Sequence, residues 1–429
     1  MNMPNIIKNK CAGAELSADQ IRFWLEGYVQ GKIPDYQSAA LLMAIYLCGF
    51  SRKETIELTL AMRDSGATLN LNGIAGIKAD KHSTGGVGDK TTLVVAPILA
   101  AAGLKVAKMS GRGLGFTGGT LDKLMSIDGF RTDLNKDEFM AQVNSCGLAL
   151  IGQTAELAPA DKLLYTLRDA TATVESMPLI AASIMSKKLA VGADVLVLDV
   201  KYGSGAFFKT VDSAYEAADM MVQIGRVAGQ NAAALISSME QPLGWAVGNA
   251  LEVKEAWQIL CGQGPQDVRE LCLALSAKAI SLAGLTSNRA TALTLAGELL
   301  DRGAARLKFC EMVKEQGGDI DFSRLPTAAL QIPYTVKESG YICALNAELI
   351  GRAALVLGAG RLVKEAGIDH SAGIMLQYKV GEYIRAGNDL AILHSNEAKR
   401  IEEAAALFER AVIIGPQPPP IVPLVAGSI

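Results

Sequence analysis

The sequence predicts an α/β protein preceded by an all-α unit and followed by a smaller α+β piece, and three observations carry that reading. Over the first 65 residues apolar side chains recur at helical spacing. Residues 193–200 (ADVLVLDV) form a β-branched, apolar run of the kind found in parallel strands covered on both faces. From Pro333 onward short β-like runs are broken by frequent glycine.

The elements follow in order. A helix begins at Ser17 and sets Ile21, Trp24, Leu25 and Tyr28 on one face. Gly31 and Pro34 punctuate it, and a second apolar helix runs to about Cys48. Ser51 and Glu54 form an S-x-x-E capping box for a third, ending near Gly66. After Gly73 the character changes: a small-residue helix over 92–102, a short strand over 105–109, a glycine loop over 111–119 and a helix opening at Thr120. Asp133 and Asp137 lie in a polar, loop-like stretch. Helical patterns return over 157–189, the strand 193–200 follows, and long Ala/Leu helices run to about Gly317. A last helix lies near 396–411. There is no internal repeat and no long low-complexity linker.

Composition narrows the class of function. A chain of 429 residues holds two or three domains, and 41 Lys+Arg against 44 Asp+Glu leave a net charge of −3, which argues against nucleic acid as a partner. The uncharged run 91–104 is shorter than the roughly 20 residues that a bilayer needs. The uncharged stretch 411–429 contains five prolines and cannot be a spanning helix. The N-terminus MNMPNIIKNK has no apolar signal core, and seven scattered cysteines without a C-x-x-C fit reduced thiols, so a cytoplasmic location is expected.

Residues 75–125 depart from the global balance. They hold seven Lys or Arg against three Asp, a local excess of four, together with ten glycines. Positive charge and closely approaching backbone are what a phosphate-like anion requires, above all at helix N-termini. Two loops fit: 81–88 (KHSTGGVG), running into the 92–102 helix, and 110–120 (SGRGLGFTGGT), running into the next. Neither is a Walker A loop, because Asp89 rather than glycine precedes Lys90-Thr91. Gly113, Gly115 and Gly118 match a dinucleotide fingerprint formally, which keeps a dinucleotide-dependent oxidoreductase as a rival, although no ribose-binding acid follows at the right distance. The glycines would also be explained by tight turns alone.

The string 110–124 (SGRGLGFTGGTLDKL) resembles the motif of the thymidine and pyrimidine-nucleoside phosphorylase family. KHSTGGVGDK (81–90), YTLRD (165–169), SIMSKK (183–188), GSGAF (203–207) and QPLG…GNALEV (241–253) resemble that family's other blocks, in order, over nearly the full length. The resemblance implies α/β plus all-α architecture. A small helical domain (1–68 and 159–191) packs across a cleft from a larger mixed-sheet α/β phosphate-binding domain (72–157 and 192–330). Residues 333–429 form a C-terminal α+β hammerhead-like subdomain. It also implies a homodimer, no organic cofactor, and phosphorolysis of pyrimidine nucleosides by inorganic phosphate. No pair of catalytic carboxylates is needed for that reaction.

On the resemblance, phosphate falls to Lys81, Ser83, Thr92, Ser110 and Thr120, and the base to Arg168, Ser183 and Lys187. Tyr165, Leu114, Ile180 and Phe207 wall the base pocket, and His82 donates a proton or hydrogen bond to the departing base. Lys108 stands where deoxynucleoside-restricted members carry Met, so uridine is expected as a substrate beside thymidine and deoxyuridine; a strict thymidine phosphorylase is the alternative. A related phosphoribosyltransferase would share the fold but need magnesium-binding carboxylates, which the acid-poor 75–125 segment does not offer. A catalytically dead ligand sensor would carry the same binding residues.

Three positions depart from the family pattern. Phe116 and Met125 replace the usual His and Glu. Lys90 replaces a Thr in relatives that bind potassium through the equivalents of Gly88, Leu243, Ala246 and Glu255, so potassium dependence is expected to be weakened or lost. The glycine-rich stretch 372–390 resembles a lipoyl or biotinyl hammerhead, but lacks the Met-Lys-Met or Asp-Lys-Ala of a carrier and reads as structural.

Overall fold

Ser17 and Ser51 each close a capping box, with Gln20 and Glu54, and so start the helices Ala18–Val29 (α2) and Arg52–Asp64 (α4). A computed structural model describes the chain except for Leu114, Thr117, Thr154, Ala155 and residues 362–366. Ahead of these helices stands one that the sequence reading did not predict, Met3–Cys11 (α1), capped by Asn2 and carrying a proline in its first turn. Its Lys10 reaches Glu54 at 2.9 Å, and Glu54 also accepts from the Leu16 N–H, so one buried carboxylate staples α1 to α4. The helix Asp35–Cys48 (α3) completes the bundle, where the Trp24 indole donates to Ser38 Oγ at 3.1 Å.

Five strands form the parallel body of the second unit: Ala79–Ser83 (β1), Val106–Ser110 (β2), Leu148–Gly152 (β3), Val195–Tyr202 (β4) and Asn231–Ser238 (β5). β1 pairs with β4 and β4 with β5, all parallel; β2 pairs with β3. A bridge between Lys78 and Lys105, with Ala79 N–H donating to Lys105 O at 2.8 Å, joins the two pieces in the order β3-β2-β1-β4-β5. Val425–Ser428 adds an antiparallel edge on β5, which makes the sheet mixed. Successive β4 side chains alternate between two cores: Val195 and Val197 face one, Leu196, Leu198 and Val200 the other. That is why Val195–Leu198 and Val200 are all apolar, while Asp199 and Lys201 of the same strand are buried as an ion pair.

Two expectations fail here. β5 lies within the stretch read as helical, because Ala232–Ala234 are helix formers by composition but are buried between strands and helices. The loop-like stretch around Asp137 is the helix Lys136–Cys146 (α7), capped by Asn135, which accepts from the Asp137 and Glu138 N–H groups. β1 also absorbs the start of the first glycine loop, placing His82 and Ser83 at a strand end.

The helices Thr91–Ala101 (α5) and Thr120–Leu124 (α6) follow the two glycine loops. Pro159–Ala170 (α8) and Met177–Val191 (α9) return to the bundle: Leu164, Leu179 and Ala182 enter its core, while Met185 of α9 enters the sheet-side core. α9 therefore runs from one unit to the other. The C-terminal strands Leu330–Thr335, Gly373–Leu376 and Asp389–Ser395 form one sheet with Ala246–Val247, which docks this piece on the α/β unit. Among the described residues no helix is long and apolar enough to cross a membrane.

Candidate active site

A chain that begins in the middle of a parallel sheet and builds outward on both sides leaves a crevice at the strands' carboxyl ends. Here β1 delivers His82 and Ser83 to that crevice and β2 delivers Ser110. Thr92 comes from the first turn of α5 and Thr120 from the start of α6, where N–H groups have no intrahelical partner. The resulting cleft, about 300 Å³, is lined by these five together with Lys108, Tyr165 and Phe207, all anticipated from sequence. Arg112, Asp89, Gln153 and Lys188 also line it and were not anticipated. The close packing of the loops depends on glycine: a Cβ on Gly119 would lie 2.1 Å from the Gly113 nitrogen.

The local excess of positive charge proves to be largely spent inside the fold. Lys78 pairs with Asp194, Lys81 with Asp199 and Asp89, Lys90 with Glu255, and Lys123 with Glu252. Buried ammonium groups need such partners, since desolvation otherwise outweighs any gain. Lys81, read from sequence as a phosphate ligand, is one of them: its Nζ lies 3.4 Å from Asp199 and is not among the described groups lining the cleft. What remains at the floor is a trio. Asp80 accepts from Lys108 at 3.0 Å and from Lys188 at 2.8 Å, leaving a net single positive charge between two lysines that both line the cleft.

The trio sets the local proton affinities. Burial favours a protonated Asp80, but Lys108 and Lys188 reverse that and hold its carboxyl well below the usual range. Burial pushes Lys108 down to about 8, only partly offset by Asp80. Burial, then the charges of Lys188 and Lys108, keep the His82 imidazole well below its ordinary value. The free site thus holds a neutral His82.

The remaining candidates lie on the helical side, away from the described cleft lining. Lys187 Nζ donates to Ser183 Oγ at 3.1 Å, one helical turn away, and to Asp161 of α8. Arg168, 2% exposed, donates to the carbonyls of Thr173, Val174 and Leu179, and its guanidinium carbon lies 6.0 Å from the Tyr165 ring centre. Ile180 packs against the sheet-side core. Leu114 lies outside the described residues. Lys188 was missed although it adjoins Lys187: about 100° of helix separates them, so only one faces the bundle, and sequence does not tell which.

The "Glycosyl transferase family, helical bundle domain" model matches residues 4–66 and the "Glycosyl transferase family, a/b domain" model residues 75–306. The "Pyrimidine nucleoside phosphorylase C-terminal domain" model matches 341–415. The pyrimidine-nucleoside phosphorylase of Bacillus subtilis (strain 168) is 51% identical over 413 residues, 95% of each chain. The chain belongs to the pyrimidine-nucleoside phosphorylase family. The Staphylococcus haemolyticus phosphorylase is 48% identical over 421 residues, 97% of each chain. The solved anthranilate phosphoribosyltransferase of Thermus thermophilus has 19% identity and a TM-score of 0.57, covering 72% of this chain and 98% of its own, which extends the likeness in fold alone.

Against this phosphorylase background the departures have physical surroundings. Phe116 packs beneath Gly351, where an added Cβ would stand 3.0 Å from the ring, and Arg352 stacks over it at 5.5 Å. An apolar contact with the C-terminal piece thus occupies that position. Met125 ends α6 as its C-cap. Lys90 Nζ donates to Leu243 O at 3.0 Å, to Ala246 O at 2.9 Å and to Glu255. Among the described residues, no cluster of three His, Cys, Asp or Glu side chains is placed to hold a metal ion.

Proposed function

We propose that this chain catalyses reversible phosphorolysis of pyrimidine nucleosides, a pentosyl transfer. A phosphate oxygen attacks C1′ from the face opposite the base as the C1′–N1 bond breaks; the electron pair leaves with the pyrimidine, giving sugar 1-phosphate and free base. What supports this reading is the convergence of four hydroxyls (Ser83, Thr92, Ser110, Thr120) and the singly positive Asp80 trio on one cleft. It is an anion cradle with no need of paired carboxylates.

The residues then divide the work. The hydroxyls, the first turn of α5 and Arg112 hold phosphate. Lys108 keeps one proton beyond those given to Asp80 and Lys81 O, and it meets a ribose 2′-hydroxyl, so uridine is turned over beside thymidine and deoxyuridine. His82 donates an N–H to a base carbonyl. Arg168, Ser183 and Lys187 stabilise charge developing on the departing base; each such donor is worth about 10²–10³ in rate. Tyr165, Ile180 and Phe207 wall the base. Closure of the two units brings Arg168, Ser183 and Lys187 to the cleft.

The working unit is a homodimer in the cytoplasm. Tyr36, Met43 and Leu47 form an exposed apolar stripe along α3, 73% exposed at both ends, and the seven cysteines are all free. Sedimentation should give a dimer, and Leu47→Glu a monomer. The deciding assay incubates uridine, thymidine or deoxyuridine with phosphate and follows free base. Release that needs no phosphate would overturn the reading, and release from deoxynucleosides alone would select a strict thymidine phosphorylase.

A further inference from the structure

Lys90 is the N-cap residue of α5, and its ammonium is fully buried. Three protons meet three acceptors there: Leu243 O at 3.0 Å, Ala246 O at 2.9 Å and Glu255 Oε2. Two carbonyl oxygens and a carboxylate make the kind of oxygen cage that holds a hard cation. The other oxygen of Glu255 accepts from the Trp245 and Ala246 N–H groups at 2.9 and 3.1 Å, so the same loop wraps the carboxylate. The cage has no spare volume on the side of Gly88, where a Cβ would stand 2.4 Å from Leu243 O. A potassium ion does not fit between these oxygens while the ammonium sits among them.

We propose that the Lys90 ammonium is a built-in monovalent cation, which takes the place of a dissociable potassium ion and makes the order of the cleft-lining loop independent of potassium. The tether matters because Lys90 closes the segment that carries His82, Ser83 and Asp89 into the cleft. A lysine delivered by that segment fixes it whenever the chain is folded, whereas a free ion does so only above its dissociation constant. Lys379 acts beside it on the same loop, donating to Pro242 O and Gly244 O and pairing with Asp267 at 3.0 Å. Burial opposes the charge of Lys90, but Glu255 and then Glu252 outweigh it and raise its pKa above the ordinary lysine value.

The test reads thermal unfolding midpoints in potassium, sodium and choline chloride at equal ionic strength, independently of which nucleoside is turned over. The wild-type midpoint should be the same in all three. Lys90→Thr should lose about 5–10 °C in choline and recover saturably with potassium, with heat of binding in a potassium titration. Lys90→Met, which fills the cage with an apolar chain, should not recover. A wild type selectively stabilised by potassium would overturn the proposal. So would a Lys90→Thr variant indifferent to the cation, including one that folds in none of them.

Discussion

Asp80 and Lys188 stand 108 positions apart in sequence, yet Asp80 Oδ2 accepts from Lys188 Nζ at 2.8 Å, with both side chains almost fully buried. The bond ties the start of the central strand to the helix that links the two units, directly beneath the cleft. Asp80→Asn would leave two buried ammonium groups facing a neutral amide. Removing one partner of a buried pair costs about 3–5 kcal/mol, and urea denaturation should show a loss of that size. Lys108, already depressed by burial, would lose the carboxylate that offsets it and bind its proton less tightly than in the unfolded chain, so the variant's stability should rise with pH between neutrality and about 10. A loss under about 1 kcal/mol would mean that the trio is not a structural unit.

Lys108 makes two opposite pH effects in the folded enzyme. Its pKa is pushed down to about 8 by burial, against an unfolded value near 10.4. Between those values the unfolded state binds more protons, so this group's contribution to stability increases as pH rises. Anion binding goes the other way, because the deprotonated amine no longer adds charge to the cleft. Sulfate, whose own charge is constant in this range, should bind up to about tenfold more weakly at pH 9 than at pH 7. Lys108→Met should flatten the sulfate profile; a persisting slope would assign it to another group.

Much of the site was legible because its chemistry sits in contiguous strings. The hydroxyls at 83, 92, 110 and 120 follow strand ends and open helices, and those local signals survive folding. What sequence could not tell was where each charge goes. Lys81 and Lys123 look like anion ligands in a basic stretch, yet Asp199 and Glu252, more than a hundred residues away, claim them. Asp80 was only a neighbour of Lys81 until α9 brought Lys188 to it. The fold failed to read through in the same way: β5 is alanine-rich, so its strand state comes from burial between layers rather than from propensity.

Ala172 holds a backbone better suited to glycine. It has φ +54° just past the C-cap of α8, and the Thr173 N–H donates to Arg168 O at 3.0 Å, a Schellman closure with alanine at the left-handed position. A left-handed L-residue costs roughly 1–2 kcal/mol, and the exposed methyl group returns little. Ala172→Gly should stabilise the protein by about 0.5–1 kcal/mol after the greater unfolded-state entropy of glycine is subtracted. Ala158, with φ +46° but a fully buried methyl, should gain less from the same change. Equal gains at both sites would show that backbone strain alone sets the result.

His82 should take up a proton when an anion binds. In the free protein burial and the charges of Lys188 and Lys108 hold it neutral well below its ordinary value, so at pH 6 the unfolded chain is protonated here and the folded chain is not. A dianion placed among Ser83, Thr92 and Ser110 adds negative charge beside the ring and favours the imidazolium. By linkage, sulfate affinity must then increase as pH falls through the range in which the imidazole of the complex protonates, and binding there must carry net proton uptake. Calorimetry at pH 6 in two buffers of different ionisation enthalpy measures that uptake directly. His370 and His394 are also depressed by burial but lie outside the described cleft lining, so they titrate independently of sulfate. His82→Asn should abolish the uptake while retaining sulfate binding at pH 8; uptake that survives the substitution would remove His82 from the anion's reach.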